Sequence, residues 1–170
     1  MEENERSVIQ EYLTFLIAGE NYAINVGSIK EVLGVPRITR VPRMPEYMSG
    51  VINLRGSVIP VLDLRMKFGL GETPATEDTG VIVTEVSDIF EEDDEEKLII
   101  GIFSDVVQKV VTITDTDIAP PPKIGMSIDT EFIAGIGRVE DSFVIILNID
   151  KVLSGGEMAS DLEGVLVESQ

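Results

Sequence analysis

The sequence predicts an all-β fold, either one barrel or a pair of small barrels. Three observations carry that expectation. About eight or nine short β-rich runs follow one another, separated by glycine, asparagine and proline turns. Almost no helical period is sustained anywhere. Aromatic residues are only 5% of the chain and tryptophan is absent, so valine, isoleucine and leucine must build the core. Branched residues of this kind favour strands. With 170 residues, 44% of them hydrophobic, the chain has room for one sizeable core or two small lobes sharing one.

Residues 1–7 read as a disordered acidic tail. Residues 12–17 and 22–26 read as two strands of a hairpin across Ala18-Gly19-Glu20-Asn21. Gly27-Ser28 is expected to cap a helical turn over 29–33, closed by Gly34. Pro36, Pro42 and Pro45 keep the next stretch extended, with at most a short edge strand at 38–41. The central hairpin follows, 50–54 and 58–64, bent at Arg55-Gly56-Ser57. Gly56 is free to take positive φ there. Pro60 cannot donate to a ladder, so it belongs at an edge or a bulge. Residues 65–68 read as one helical turn stopped by Gly69.

Residues 71–80 are a loop, and 81–86 with 98–103 form a long hairpin. Its tip carries EEDDEE at 91–96. That run lacks the alternating ligands and bend glycine of a calcium loop and reads as solvated. Strand continues through 104–113, and Asp115 and Asp117 mark a turn before Ile118. Pro120-Pro121-Pro122 imposes polyproline geometry. A last hairpin, 132–139 with 143–147, precedes a helical turn at 150–153. Residues 155–170 form a C-terminal tail or short helix.

The net charge of −18 and the pI of about 4.2 oppose phosphate backbones and anionic membranes. The charge is uneven. Seven of the 13 basic residues lie between Lys30 and Lys67, against three acids. That segment is either a docking face for an acidic partner or is neutralised by the protein's own carboxylates. No cysteine or histidine is present, which excludes disulfides, thiol nucleophiles, most zinc sites and Ser-His-Asp chemistry. The N-terminal stretch lacks the apolar region of a signal peptide, and no apolar run reaches membrane-spanning length. These features suit a cytoplasmic chain.

Any catalysis would fall to carboxylates and lysines. Asp63 follows an apolar strand and is read either as a buried acid or as the partner of Arg65. No second carboxylate stands at a telling spacing, so a carboxylate-based hydrolase in a β-barrel cleft is the weaker alternative to a recognition protein. Gly135-x-Gly137 lacks the helix that a dinucleotide site needs, so no cofactor is expected. Arg55, on a hairpin bend beside Asn53, is either an ordinary surface arginine or a fixed guanidinium awaiting a carboxylate.

The ordered set EYLTF (11–15), YAINV (22–26), IKEV (29–32), VPRMP (41–45), GVINLRG (50–56), VLDLR (61–65), PPP (120–122), FIAG (132–135) and IDKVL (149–153) resembles the CheW-like domain family of bacterial chemotaxis coupling proteins. The resemblance implies two SH3-like five-stranded β-barrel lobes sharing a hydrophobic core within residues 8–154. It implies a non-enzymatic adaptor between chemoreceptor cytoplasmic tips and the regulatory domain of the histidine kinase CheA, which is built on the same fold and assembles with such adaptors in rings. It places receptor contact in a groove between the lobes. The matching residues are Ile29, Glu31, Val32, Gly50, Asn53, Leu54, Arg55 and Gly56, with Glu31 and Arg55 as an ion pair. The kinase-contacting residues stay unassigned.

Overall fold

The computed structural model describes residues 8–34, 37–87, 97–122 and 130–153. The tails at 1–7 and 155–170 and the acidic run at 91–96 lie outside them. Eleven strands form two sheets among the described residues. In chain order they are β1 (Ile9–Ile17), β2 (Glu20–Asn25), β3 (Ile29–Leu33), β4 (Met48–Leu54), β5 (Ser57–Asp63), β6 (Gly80–Ser87), β7 (Lys97–Ser104), β8 (Val106–Thr114), β9 (Ile118–Ala119), β10 (Ile133–Val139) and β11 (Ser142–Leu147). Two short helices, α1 (Leu64–Lys67) and α2 (Ile149–Leu153), follow β5 and β11.

One sheet has the order β3-β6-β7-β5-β4, the other β8-β1-β2-β11-β10-β9. Their wiring is the same. An edge strand pairs with an antiparallel hairpin, whose second strand runs parallel to the end of another hairpin. That hairpin leads into a short helix. Its outer edge takes β9 in one sheet and a single Thr39–Val51 bridge in the other. Both outer hairpins carry a register shift at a glycine, Gly50 or Gly135. The five-stranded lobe is one uninterrupted stretch, residues 29–104. The six-stranded lobe is permuted: its hairpin β1–β2 comes first and the rest follows at 106–147. Setting the two-residue β9 aside, both lobes have five strands.

Three hydrophobic clusters explain why so many strands are apolar without interruption. Val81 and Val83 of β6 point into one barrel with Ile52, Ile59, Val61 and Phe103. Their neighbours Ile82 and Val86 point the other way, to a large cluster between the lobes. That cluster joins Leu13, Phe15, Ile17 and Tyr22 from one lobe to Leu62, Ile100 and Ile102 from the other. Tyr12, Ala23, Ile113, Val144 and Ile146 fill the second barrel. A strand buried on both faces loses the polar-apolar alternation of a half-exposed sheet. A ladder of rings, Phe15, Tyr22, Phe68 and Phe132, crosses between the lobes with centroids 6.2, 5.9 and 6.4 Å apart. Lys67 Nζ sits 5.1 Å from the Tyr47 ring centroid and 5.8 Å from that of Phe132, closing the seam.

Three expectations need correction. Residues 29–33 form strand β3, not a helical turn. The helical turn is the 3₁₀ turn Val26–Ser28 just before it, capped by Asn25, whose side chain accepts from Gly27 N at 2.8 Å. A five-residue helix is too short to stand alone, whereas pairing with β6 satisfies one whole edge of this segment. Of the two readings of Asp63, burial holds, but its carboxylate does not pair with the Arg65 guanidinium. Asp63 is 3% exposed, and its carboxylate accepts from Arg65 N (3.1 Å), Met66 N (3.4 Å), Thr73 N (2.9 Å) and the Thr73 hydroxyl (2.6 Å). It caps α1 and pins the following loop, roles that backbone geometry fixes before any side-chain pairing. Arg65 instead meets Asp105 at 2.9 Å. Asp105 also accepts from Ala18 N at 2.9 Å, at the point where the chain leaves β7 for the other lobe. The expected strand over 104–113 is thus broken at Asp105, which ties α1 of one lobe to the β1–β2 turn of the other.

Pro60 lies where nothing is asked of it. Val51 opposite exchanges both its hydrogen bonds with Thr39, at 2.8 Å each, and β7 joins β5 only from Val61 onward.

Candidate functional site

The β4–β5 turn is a two-residue bend of Arg55 (φ 52°) and Gly56 (φ 90°). Both residues are left-handed, as a tight hairpin of this twist requires. Asn53 Oδ1 accepts from Gly56 N at 2.9 Å and locks the bend. Arg55 therefore projects from a rigid tip. β3 runs along the far edge of the same sheet, and barrel closure brings Glu31 against that tip. The contact is a two-pronged fork: Arg55 Nη1 donates to Glu31 Oε2 at 2.7 Å and Nη2 to Oε1 at 3.1 Å. The Arg55 side chain is 71% exposed and that of Glu31 28%, so the pair is open to solvent and to a partner.

The hydrogen bond from Arg55 holds the Glu31 carboxyl below the ordinary glutamate range, with the Arg55 and Lys30 charges acting in the same sense. The same hydrogen bond raises Arg55. A carboxyl lowered on folding stabilises the fold above its unfolded value, near 4.3, and loses that contribution as pH falls through the lower folded value. The gap in urea midpoint between the wild type and Glu31→Gln is therefore expected to stay constant from neutral pH to about pH 5 and to close below about pH 4. A gap that widens on acidification would contradict the pairing.

Beside the pair lies a groove of about 460 Å³. Leu54, Val58, Ile59, Val83, Leu98 and Ile99 give it an apolar floor, and Lys30, Glu31 and Arg55 a charged rim. Every lining residue comes from β3 to β7 or the bend between β4 and β5. The groove thus lies on the five-stranded lobe and not between the lobes, because closure of one barrel is what brings β3 to the hairpin tip. Lys30 is held 3.9 Å from Glu85.

Of the eight residues nominated from sequence, Glu31, Leu54 and Arg55 line the groove together. Asn53 and Gly56 build the bend. Ile29 packs against the interlobe cluster. Val32 is exposed on β3 outside the groove lining, and Gly50 lies beneath Thr39. Val58 was legible in principle, because a two-residue bend puts it opposite Asn53. Leu98 and Ile99 were not, since only barrel closure brings β7 there.

The corresponding place on the six-stranded lobe holds a smaller pocket, about 160 Å³, with Lys109 on the edge strand and Glu140 (φ 55°) at the hairpin bend. The charges are reversed relative to Glu31 and Arg55. No group of acidic side chains among the described residues is arranged to hold a metal ion, and no described helix is long and apolar enough to cross a membrane.

The model of the CheW-like domain matches residues 11–157. The chain is 36% identical over 152 residues to the chemotaxis protein CheW of Helicobacter pylori, covering 89% of this chain and 86% of that one. It is 33% identical over 153 residues to the chemotaxis protein CheW of Klebsiella aerogenes, covering 90% and 87%. Among solved structures, the scaffolding protein TtCheW from Thermoanaerobacter tengcongensis superposes with a TM-score of 0.74 at 30% identity, over 90% of this chain and 93% of that one. A permuted pair of like-wired barrels, matched over residues 11–157 in sequence and over 90% of the chain in fold, places the chain in the CheW-like domain family, as a non-enzymatic chemotaxis adaptor.

Proposed function

We propose that the chain couples the cytoplasmic tips of chemoreceptors to the regulatory domain of the histidine kinase CheA, with the Glu31–Arg55 groove as the receptor contact. The carrying observation is the fixed fork of Arg55 over an apolar floor. It offers a helical receptor tip both a charge anchor and a hydrophobic seat. Glu31, Leu54 and Arg55 touch the receptor in this reading, with Val58 beside them. Asn53 and Gly56 hold the bend, Ile29 and Val32 belong to the strand that carries Glu31, and Gly50 keeps the hairpin under Thr39. The kinase takes a different face. The identical wiring of the two lobes supports head-to-tail pairing with like-folded kinase domains and hence closed rings. The work is done in the cytoplasm, without cofactor or nucleic acid.

The test is co-sedimentation of the full chain with a purified receptor tip, with a purified CheA regulatory domain, and with both. Binding to each alone and a ternary complex with both is the expected result. Competition between the two partners would refute the two-face arrangement.

A further inference from the structure

We propose that the loop carrying Arg37, Arg40 and Arg43 is a preformed docking face for a carboxylate-rich protein segment, separate from the Arg55 groove. All three arginines are exposed. Among the described residues none has an ion-pair or hydrogen-bond partner, and the neighbouring acids Glu46 and Glu72 make no bridge to them.

The loop is not loose. Thr39 exchanges two backbone hydrogen bonds of 2.8 Å with Val51. Ile38 packs against the barrel cluster of the five-stranded lobe, and Met44 and Tyr47 pack against the interlobe cluster. Pro42 and Arg43 (φ 65°) make a tight turn between these anchors. Apolar side chains thus point inward at intervals while the guanidinium groups point outward. Ordering such a loop costs a partner little, because the fold has already ordered it.

Ser87 and Lys97, which flank the acidic run in the sequence, pair at one end of β6–β7. Arg40 shares its pocket with Phe103, six residues away along β7, or about 20 Å of strand. Three guanidinium groups without a partner among the described residues, on a chain of net charge −18, form a local exception to its field. Carboxylates match the planar fork. A long phosphate chain or an anionic membrane would extend beyond the loop onto acidic surface, so a compact acidic protein segment is the occupant.

The test titrates the full-length, isotope-labelled chain with a short oligoglutamate peptide at low and then high salt, reading amide chemical shifts. Shifts centred on residues 37–48, weakened by salt, are expected. The triple variant Arg37→Gln/Arg40→Gln/Arg43→Gln should bind about tenfold more weakly or worse with an unchanged melting temperature. Shifts centred on Arg55, equal binding by the triple variant, or tighter binding to polyphosphate or to phosphatidylserine vesicles than to the peptide would each overturn the proposal. The shift map of the wild type decides the matter even where the variant fails to fold.

Discussion

Arg55→Ala is expected to weaken receptor-tip binding by about tenfold or more while leaving the fold and kinase binding intact. The Arg55 side chain is 71% exposed and lies outside the hydrophobic core, so its removal opens no core cavity. Alanine at φ 52° is no worse placed than arginine, so the bend survives and the melting temperature should stay within about 3 °C. What disappears is the fork itself. Arg55→Lys should rescue poorly, because an ammonium group offers a point charge and cannot meet two acceptors in one plane. The double exchange Glu31→Arg/Arg55→Glu separates two roles. Recovery of binding would mean that the pair serves only to hold the groove open. Continued failure in a well-folded protein would mean that the guanidinium touches the receptor, and partial recovery is the expected result. If Arg55→Ala removes kinase binding to the same degree, the hairpin belongs to both faces and the assignment of the groove to the receptor fails.

Gly50→Val should destabilise the protein by about 3–5 kcal/mol. Gly50 sits at φ 145°, a region closed to residues with a Cβ, and at the register shift of the β4–β5 hairpin. A Cβ built there meets the Thr39 carbonyl oxygen at 2.3 Å, the Thr39 carbonyl carbon at 2.8 Å and Ile38 Cγ2 at 2.9 Å. Two of these atoms are backbone, held by the Thr39–Val51 hydrogen bonds, and cannot rotate aside. Relief requires either detaching the 37–47 loop or flattening the bulge. Against a typical margin of about 5–15 kcal/mol, a loss of this size is visible in any urea titration. Gly50→Ala should cost nearly as much, since the clash begins at Cβ. A loss below about 1 kcal/mol for Gly50→Ala would show that the loop lifts off easily, and the preformed arginine face would lose its support as well.

The strands, the bends and the chemistry excluded were legible in the sequence because each is written in local residue types. Gly56 beside Arg55 specified a left-handed bend, and its φ of 90° bears that out. Asp115 and Asp117 gave the 3₁₀ turn that precedes β9, and Gly69 (φ 77°) ended α1. The family resemblance supplied the pairing of Glu31 with Arg55, which no local pattern contained. Three things were decided only by the tertiary structure. Residues 29–33 became a strand because β6 offered an edge to pair with, an energy that a five-residue window cannot register. Arg65 pairs with Asp105 and not with the Asp63 carboxylate because a helix N-terminus and a crossover between lobes both need a carboxylate where they stand. The groove lies on one lobe because a barrel, once closed, sets its first edge strand against its hairpin tip. Residues 24 positions apart meet there through the curvature of a sheet, and curvature is a property of the packed strands together, carried by no single stretch of them.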